Sequence, residues 1–470
     1  MNEMKLVFQR ELSCLYQADI IVVGAGPSGC AAAITAARMG CRTLLVERYG
    51  FPGGATVNQL VPVVLSQNGV DFQGIWHEFM LEMKTNGLVN EMVKGEQCDH
   101  WLCATYSPES AKHAWDKLLV DAGVVILYHA LVTDVITCGN KIKSLILNTR
   151  GGNFFVDGKL LVDCTGDGQV CFLAGKEFEL GNEQGPVSQA ATKMFRLVNS
   201  IKPEYVMTPE KKHSLKNSFH EALRNKEFDS PVITTGFIMD YINNRAGKQL
   251  PDNTLLINAT RMINVNSLDP WQLSQAEIDG RKYAKECADF FIKYVPGSEN
   301  ALLLETSMEL GIRASRRIIG LATLTIDDVL SLRKFPDGIA KGSWEVDVHP
   351  PKDYTYKRSA DIIDYETYHE RIATGDYYEI PLGCLIPKDS ENLLVAGRCI
   401  SADSESQGSL RIQQTCMATG EASGCLAALS ILFGKNPQEI DSGEIVRKLS
   451  EIRNRSNIAF EILKPLLLKE

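Results

Sequence analysis

The chain has 470 residues, an apolar share of 44% and a formal net charge of −9 at pH 7. This length and apolar share suffice for one large domain, or for two or three smaller ones, with buried cores. The acidic balance argues against a general nucleic-acid binder, and no apolar run reaches the roughly 18 residues that a transmembrane helix requires, so we expect neither nucleic acid nor a membrane as a partner.

Residues 19–47 predict a dinucleotide-binding unit. A strand, 19–23, enters a G-x-G-x-x-G loop, a small-residue helix ends near Gly40, and a second strand, 42–46, ends on an acid. In such a unit the glycines permit a tight turn, backbone approach to a pyrophosphate and close helix packing, while the acid binds ribose hydroxyls. The alternative is a chance glycine triplet, which the surrounding elements disfavour. The candidate cofactor residues are Gly24, Ala25, Gly26, Pro27, Ser28, Gly29 and Glu47.

The next segments contain further candidates for backbone close to the cofactor. Gly53-Gly54 indicates either such an approach or an ordinary surface turn. Residues 60 to about 125 are predicted to be mainly helical, with 110–119 the best helix, and residues 124–163 read as a β-meander. The meander ends in a buried strand followed by Thr165-Gly166-Asp167-Gly168, which predicts another sheet edge facing the ligand.

Residues 182–385 alternate polar helices, proline-bearing loops and aromatic strands, and we interpret them as an inserted domain. Trp271–Val295 predicts an amphipathic helix. Its predicted inward positions are Ile278, Tyr283, Ala284, Cys287, Phe291 and Tyr294. Arg313, Arg316 and Arg317 are also predicted to lie on a helix, where an inter-domain salt bridge is favoured over a catalytic role.

The last segment returns to a strand, 392–398, then a loop, then an alanine- and glycine-rich helix from about Arg411 to Leu429. We therefore predict an α/β fold: a Rossmann-like dinucleotide-binding domain, with a central parallel sheet and a β-meander, and an inserted α+β substrate or cap domain. The predicted boundaries are 1–60, 120–181 and 386–470 for the first domain, 61–119 for a helical segment near the cofactor, and 182–385 for the cap.

The N-terminus and the cysteines indicate the compartment. Residues 1–17 lack the apolar core of a signal peptide, and the 13 cysteines contain no C-x-x-C pair. We therefore expect reduced thiols in a cytoplasmic protein, with no metal site, iron–sulfur cluster or redox-active disulfide.

Four segments, 18–56, 161–168, 308–329 and 380–424, carry a resemblance to a known family. The sequence resembles the FAD-dependent oxidoreductases of the glutathione-reductase structural superfamily, and more narrowly the broad bacterial family named only for that activity. The resemblance covers most of the chain, and the strand, Gly-Arg and final helix of the fourth segment are its most specific part. It implies that the dinucleotide is FAD rather than NAD.

The resemblance also implies roles for individual residues. Gly24, Gly26 and Gly29 would cradle the pyrophosphate and Glu47 would bind the adenosine ribose. Val132 would pair its backbone with the adenine. Further cofactor contacts are implied for Arg48, Gly53, Gly54, Ala55, Thr56, Thr165, Gly166, Gly397, Arg398, Ser409, Arg411 and Ile412, the last five facing the riboflavin half. The sequence departs from many relatives in lacking a histidine in the loop 400–406 and in having Gln414 where they have proline.

The chemistry that we expect at the flavin is hydride or electron transfer. Only one dinucleotide fingerprint is visible, and Gly-Asp-x-x-His and W-x-W-x-I-P motifs are absent, so we expect dehydrogenation or C=C reduction of a small organic substrate. Arg411 is a candidate carboxylate clamp or a structural arginine. Glu405 is a candidate general base, although a loop-solvating role is favoured, and His349 is a candidate titratable group or a structural histidine.

Two alternatives stay open at this stage. One is a flavin-carrying subunit that passes electrons to a partner or is structural, and the other is an NAD-binding protein. We expect a homo-oligomer.

Overall fold

The computed structural model describes residues 9–85, 93–94, 102–183, 185–200, 209–228, 237–239, 254–349 and 365–467. The strands are β1 Ser13–Val23, β2 Thr43–Val46, β3 Val63–Ser66, β4 Val93–Lys94, β5 Leu102–Thr105, β6 Val125–Leu127, β7 Leu131–Cys138, β8 Lys141–Thr149, β9 Gly152–Asp163, β10 Phe178–Glu179, β11 Ala191–Thr192, β12 Phe195–Val198, β13 Phe237–Met239, β14 Leu255–Asn258, β15 Arg261–Met262, β16 Leu302–Thr306, β17 Arg317–Ile318, β18 Gly338–Gly342, β19 Tyr378–Pro381 and β20 Leu393–Val395. The helices are α1 Pro27–Arg38, α2 Ala55–Asn58, α3 Ile75–Thr85, α4 Pro108–Asp121, α5 Gln169–Leu173, α6 Pro209–Arg224, α7 Pro270–Tyr294, α8 Ile326–Leu330, α9 Tyr365–Ala373, α10 Ser406–Leu410, α11 Gln413–Phe433 and α12 Ser442–Leu467.

The central sheet has the strand order β6-β2-β1-β9-β8-β7, and β20 also pairs with β9. The neighbours β6-β2-β1-β9-β20 run parallel, whereas β7, β8 and β9 form an antiparallel meander. The continuous apolar runs of β1 and β2 reflect burial on both faces, as parallel strands require. This topology confirms the predicted α/β class, with a parallel sheet and a β-meander in one body.

Small residues let α1 and α11 pack with their backbones in contact. A Cβ added at Gly420 would lie 2.0 Å from the carbonyl oxygen of Ser28, and one at Gly424 would lie 2.3 Å from that of Ala32. In the described part of the chain α11 is the one helix long and apolar enough to cross a membrane, but 83% of its most apolar window is buried inside the protein. Its apolar character is therefore that of a core helix.

Residues 182–385 contain a separate antiparallel sheet, β13-β14-β12-β16, and α7. A second apolar cluster lies there, and it includes Phe195, Ile257, Cys287 and Phe291. The long helix agrees with its prediction to within a residue or two, but the inward assignment of Ile278 is wrong, because that side chain is 55% exposed. The buried face instead runs through Ala276, Gly280, Ala284, Cys287, Ala288, Phe290 and Phe291.

Two other secondary-structure predictions are corrected. Residues 61–119 contain α3 and α4, but also the antiparallel sheet β3-β5-β4, which the mainly helical prediction omitted. The helix predicted at Arg313, Arg316 and Arg317 is absent: residues 312–316 have no regular structure and Arg317 begins β17. Tertiary partners decide this segment, since Arg317 pairs with Glu179 at 3.2 Å across the predicted domain boundary.

Candidate functional site

The fingerprint loop lies between β1 and α1, and its three glycines differ in what surrounds them. A Cβ at Gly24, whose φ is +94°, would lie 2.8 Å from the carbonyl oxygen of Cys164, and one at Gly29 would lie 1.7 Å from that of Gly24. A Cβ at Gly26 would meet only Gly54 Cα, at 3.9 Å. Gly24 and Gly29 are therefore required by the fold, whereas Gly26 faces open space where a ligand can approach.

The N-terminus of α1 has no side-chain cap: Gly26 is its N-cap and Pro27 its first residue. The N–H groups of a first helical turn have no intrahelical acceptor and attract anions. This end of α1 therefore suits a pyrophosphate.

Glu47 directly follows β2 and is buried beside the same loop. Its Oε2 accepts a hydrogen bond from Ala25 N at 2.6 Å, and its Oε1 accepts one from Tyr49 N at 2.9 Å. Burial raises the pKa of Glu47, against the opposing effect of these two N–H groups and of Arg48. The Glu47 carbonyl accepts a hydrogen bond from Ala130 N at 3.0 Å, which holds the start of β7, with the buried Val132, next to the acid.

The second glycine pair lies against the fingerprint loop. Gly53 and Gly54 have φ of +113° and +52°, and Gly53 N donates to Ala25 O at 2.8 Å. A Cβ at Gly54 would lie 2.8 Å from Gly26 Cα. Because this glycine pair packs on the fingerprint loop, a turn close to the cofactor is favoured over an ordinary surface turn. Ala55 and Thr56 begin α2 directly after the pair.

A buried polar network joins α2 to the start of α11. Thr56 Oγ1 donates to Gln413 Oε1 at 2.8 Å, and Tyr106 OH donates to the same oxygen. Gln413 Nε2 donates to the carbonyl oxygens of Val61 at 2.6 Å and Val63 at 2.9 Å. The N-cap of α11 is Ile412, which cannot cap the helix with its side chain. The first N–H groups of α11 are thereby held in place and left available.

The Thr-Gly-Asp-Gly turn is organised by Asp163 and Arg398. Asp163, fully buried at the end of β9, accepts hydrogen bonds from Thr165 Oγ1 at 2.7 Å and Cys171 N at 3.0 Å. Arg398 Nε donates to Gly166 O at 2.9 Å. A Cβ at the neighbouring Gly397, φ +82°, would lie 2.6 Å from Ser28 Oγ. Three of the four segments that carry the resemblance, 18–56, 161–168 and 380–424, therefore meet at this turn.

Arg48 lies at the edge of this region and points to the inserted segment. Its Nη2 lies 2.6 Å from Glu309 Oε2, and Tyr49 OH donates to the same carboxylate. Gln59 Nε2 donates to Glu309 Oε1 at 3.1 Å. Segment 308–329, which also carries the resemblance, therefore contacts segment 18–56 through Glu309.

Arg411 and His349 are brought together by Asp347. Arg411 Nη2 donates to Asp347 Oδ2 at 3.0 Å and to the Asp347 carbonyl oxygen at 2.9 Å. His349 Nε2 lies 2.8 Å from Asp347 Oδ1. The segment that carries Asp347 has no regular secondary structure and lies on α10. A Cβ at Gly408 would be 3.0 Å from the Asp347 carbonyl oxygen, and Ser409 Oγ donates to Trp344 O at 2.6 Å. These residues form the Arg411–Asp347–His349 cluster.

Charges within this cluster set its protonation. Burial alone would raise the pKa of Asp347, but the hydrogen bond from His349 and the charge on Arg411 outweigh it and hold that pKa below its ordinary value. Burial, together with the charges on Arg313 and Arg411, lowers the pKa of His349 despite Asp347. At pH 7 the cluster therefore contains an ionised aspartate, a neutral histidine and a charged arginine.

Glu405 occupies a different position from the other two catalytic candidates. It is the N-cap of α10, and its backbone N–H donates to Asp403 Oδ1 at 3.1 Å.

Several side chains of this region were not singled out from the sequence. Asp347 stands two residues from His349, and this short separation in the sequence was the signal that could have found it. Gln413 and Tyr106 carried no such local signal.

The comparisons with known proteins place the chain in a family. The family model described as FAD dependent oxidoreductase matches residues 19–452, and the chain belongs to that family. Family membership decides between the two dinucleotides considered from the sequence: the cofactor is FAD.

Individual relatives are distant. The chain is 27% identical over 180 residues to the thiamine thiazole synthase of Saccharolobus islandicus and 28% identical over 178 residues to that of Metallosphaera sedula, in each case over 35% of this chain. The matches cover 61% and 60% of these relatives, so the chain spans about three-fifths of their length.

Two solved structures are similar over most of both chains. A geranylgeranyl bacteriochlorophyll reductase-like protein from Thermoplasma acidophilum is 12% identical, with 97% of this chain and 89% of that chain covered and a TM-score of 0.48. L-proline dehydrogenase from P. horikoshii is also 12% identical, with 90% and 95% covered and a TM-score of 0.43.

Proposed function

We propose that this protein is an enzyme of the glutathione-reductase structural superfamily that transfers a hydride between FAD and a small organic substrate, either by dehydrogenation or by reduction of a C=C bond. The observation that carries the proposal is one juxtaposition. The Gly53-Gly54 turn packs on the fingerprint loop, Thr56 directly after that turn hydrogen-bonds Gln413 at the uncapped start of α11, and Arg411 of the Arg411–Asp347–His349 cluster precedes Gln413 by two residues.

The residues fit the two ends of FAD. In this proposal the fingerprint loop and the start of α1 bind the pyrophosphate, Glu47 binds the adenosine ribose and the backbone of Val132 meets the adenine. Gly26 supports this, because its open side leaves room for a phosphate next to the helix start. The remaining contacts are assigned to Arg48, Gly53–Thr56, Thr165, Gly166, Gly397, Arg398 and Ser409–Ile412. When bound, FAD supplies the group that accepts or donates the hydride.

The start of α11 and Arg411 would stabilise negative charge at the reacting end. The positive end of the helix dipole, at Ile412 and Gln413, favours an anion, and no side chain competes for the first N–H groups. Arg411 presents a guanidinium that clamps an anionic group or stabilises an enolate-like charge.

His349 would move the proton. If its Nε2–H is donated to the ionised Asp347, Nδ1 keeps a lone pair and is able to accept a proton, which is the arrangement a general base needs. Asp347 is then a positioning residue for both His349 and Arg411. We prefer His349 to Glu405 as the proton acceptor, because His349 lies 2.8 Å from the same Asp347 carboxylate that holds Arg411.

The partner and compartment assignments rest on the sequence. We propose a small-molecule substrate and a cytoplasmic homo-oligomer without nucleic-acid or membrane partners, in keeping with the net charge of −9 and the dispersed cysteines.

The test begins with the cofactor. The purified protein is denatured and the released chromophore identified by chromatography; the proposal expects FAD. A panel of small organic substrates is then mixed anaerobically with the oxidised protein, and the loss of the flavin absorption band is followed. A colourless protein that takes up no added FAD would refute the proposal, and a flavoprotein that turns over only with a second protein would establish the electron-transfer alternative.

The roles of the cluster residues are tested by variants. His349→Gln and Arg411→Lys are expected to retain FAD but to slow flavin reduction by roughly 10²- to 10⁴-fold, the range of lost acid–base or electrostatic catalysis. His113→Gln, on the exposed surface of α4, is the matched control and is expected to react as the unaltered protein does. Equal rates for His349→Gln and the control would remove His349 from the mechanism.

A further inference from the structure

Arg313 is a partly buried cation whose direct partners among the described residues are neutral. Its Nη1 donates to Ala190 O at 2.7 Å and to Thr192 Oγ1 at 2.8 Å. No carboxylate pairs directly with Arg313 among the described residues. Burial, with the nearby charge on Arg411, lowers the pKa of Arg313 to about 10, so the side chain stays charged at neutral pH. A partly buried cation that lacks a paired anion among the described residues has lost hydration without a compensating charge, which indicates a binding role for the free side of this guanidinium.

The guanidinium of Arg411 has only some of its hydrogen-bond donors paired. Its Nη2 contacts Asp347, whereas its Nε is buried without a hydrogen-bond acceptor among the described residues. Asp347 is already shared with His349. One ionised carboxylate therefore faces two guanidinium groups, and its charge balances only one of them.

Among the described residues, the neighbouring Glu345 restores only part of this balance. Burial and the charge on Asp347 raise the pKa of Glu345 to about 7, so Glu345 supplies only part of the missing negative charge.

The chain next to Arg313 offers further unused polar atoms. Ser188 Oγ and Gln189 Oε1 are buried without a hydrogen-bond partner in the part of the chain that the structure describes. They directly precede Ala190, whose N–H donates to the His349 carbonyl oxygen at 2.8 Å. The region around His349 therefore combines excess positive charge with an unused hydroxyl group.

We infer that the substrate is a small organic acid whose carboxylate binds between Arg313 and Arg411. A carboxylate supplies the missing charge and accepts paired N–H donors from guanidinium groups. In this arrangement Asp347 holds Arg411 in place and His349 lies beside the bound acid. The inference rests on the proposed function, because it assigns the substrate class of that same site.

The test uses matched charged and neutral probes on the FAD-loaded protein. Benzoate and crotonate are titrated against benzamide and crotonamide, with the perturbation of the flavin absorption band as the readout. The acids are expected to bind, and the amides to bind at least 10-fold more weakly, because each charge-assisted hydrogen bond contributes about one to two factors of ten.

Variants assign the binding to the two arginines. Arg313→Gln and Arg411→Gln are each expected to weaken acid binding by roughly 10- to 100-fold and to change amide binding by less than about 3-fold. Arg281→Gln, which removes an exposed cation from α7, is the control and is expected to leave both unchanged. If a glutamine variant loses FAD, the lysine variant at that position replaces it; lysine keeps the charge but loses the paired donors.

The outcomes separate this inference from the proposed function. Acids and amides that bind equally, acids that do not bind, or acid binding that is unchanged in the Arg313 and Arg411 variants would overturn the inference while leaving the FAD enzyme intact. Failure to bind FAD at all would instead refute the proposed function.

Discussion

Replacing Gly26 with alanine separates ligand binding from folding in the fingerprint loop. Gly26 has φ of −71°, which alanine adopts freely, and the added methyl would meet only Gly54 Cα at 3.9 Å. The apo protein should therefore be as stable as the unaltered one, or more stable by about 0.5 kcal/mol, because alanine reduces the entropy of the unfolded chain. The methyl would nevertheless occupy the open side that we assign to the pyrophosphate.

The expected loss of FAD binding energy in Gly26→Ala follows from the cost of overfilling a close-packed contact, which is about 1–3 kcal/mol. Expressed as affinity, that cost weakens FAD binding roughly 5- to 150-fold. Gly29→Ala is the contrasting variant, because its Cβ would lie 1.7 Å from the carbonyl oxygen of Gly24. Relief of that overlap requires α1 to move from β1, so we expect a loss of more than about 3 kcal/mol in the free energy of unfolding.

The assay has two parts. Urea unfolding of the apo proteins gives the stability of each variant, and titration of FAD with fluorescence detection gives the dissociation constant. Gly26→Ala should lose affinity but not stability, and Gly29→Ala should lose stability. Unaltered FAD affinity in Gly26→Ala, or unaltered stability in Gly29→Ala, would show that the assignment of the loop is wrong.

Three further predictions concern contacts around the site. Glu309→Gln should lower the unfolding free energy by about 1 kcal/mol, and adding Arg48→Gln should lower it little further, because the two side chains form one ion pair. Additive losses in this double-mutant cycle would exclude a direct coupling between Arg48 and Glu309. The lowered pKa of His349 means that the unfolded chain takes up its proton first, so stability should be constant above pH 6.5 and fall as the pH decreases below it. The value of kcat/KM should fall only at lower pH, where the folded His349 takes up its proton. His349→Gln should remove both falls, and a fall that persists would be assigned to another group. Asp163→Asn should lose about 2–3 kcal/mol in urea unfolding, because an amide cannot accept from both Thr165 and Cys171 N–H; a loss below 0.5 kcal/mol would refute that role.

Local pattern was sufficient where short-range rules decide the structure. The order of strand, glycine loop, small-residue helix and acid predicted β1, α1 and β2, because each part is specified within about 30 residues. The prediction failed at Arg313–Arg317, where a helical spacing of charges was overridden by the partners Ala190, Thr192 and Glu179. Weak local propensity yields to buried polar groups that need hydrogen bonds.

The sequence by itself therefore determined the strand, glycine loop, helix and acid of residues 19–47, where we propose that the pyrophosphate and the adenosine ribose bind. The contacts of the region that we propose as the reacting end were decided by tertiary structure. Thr56 meets Gln413 across 357 residues, and Arg411 meets Asp347 across 64. Contacts over such separations depend on how sheets and helices pack, and no period in the sequence records them. The excess positive charge at Arg313 and Arg411 became visible only when folding brought these two partly buried side chains close to the single carboxylate of Asp347.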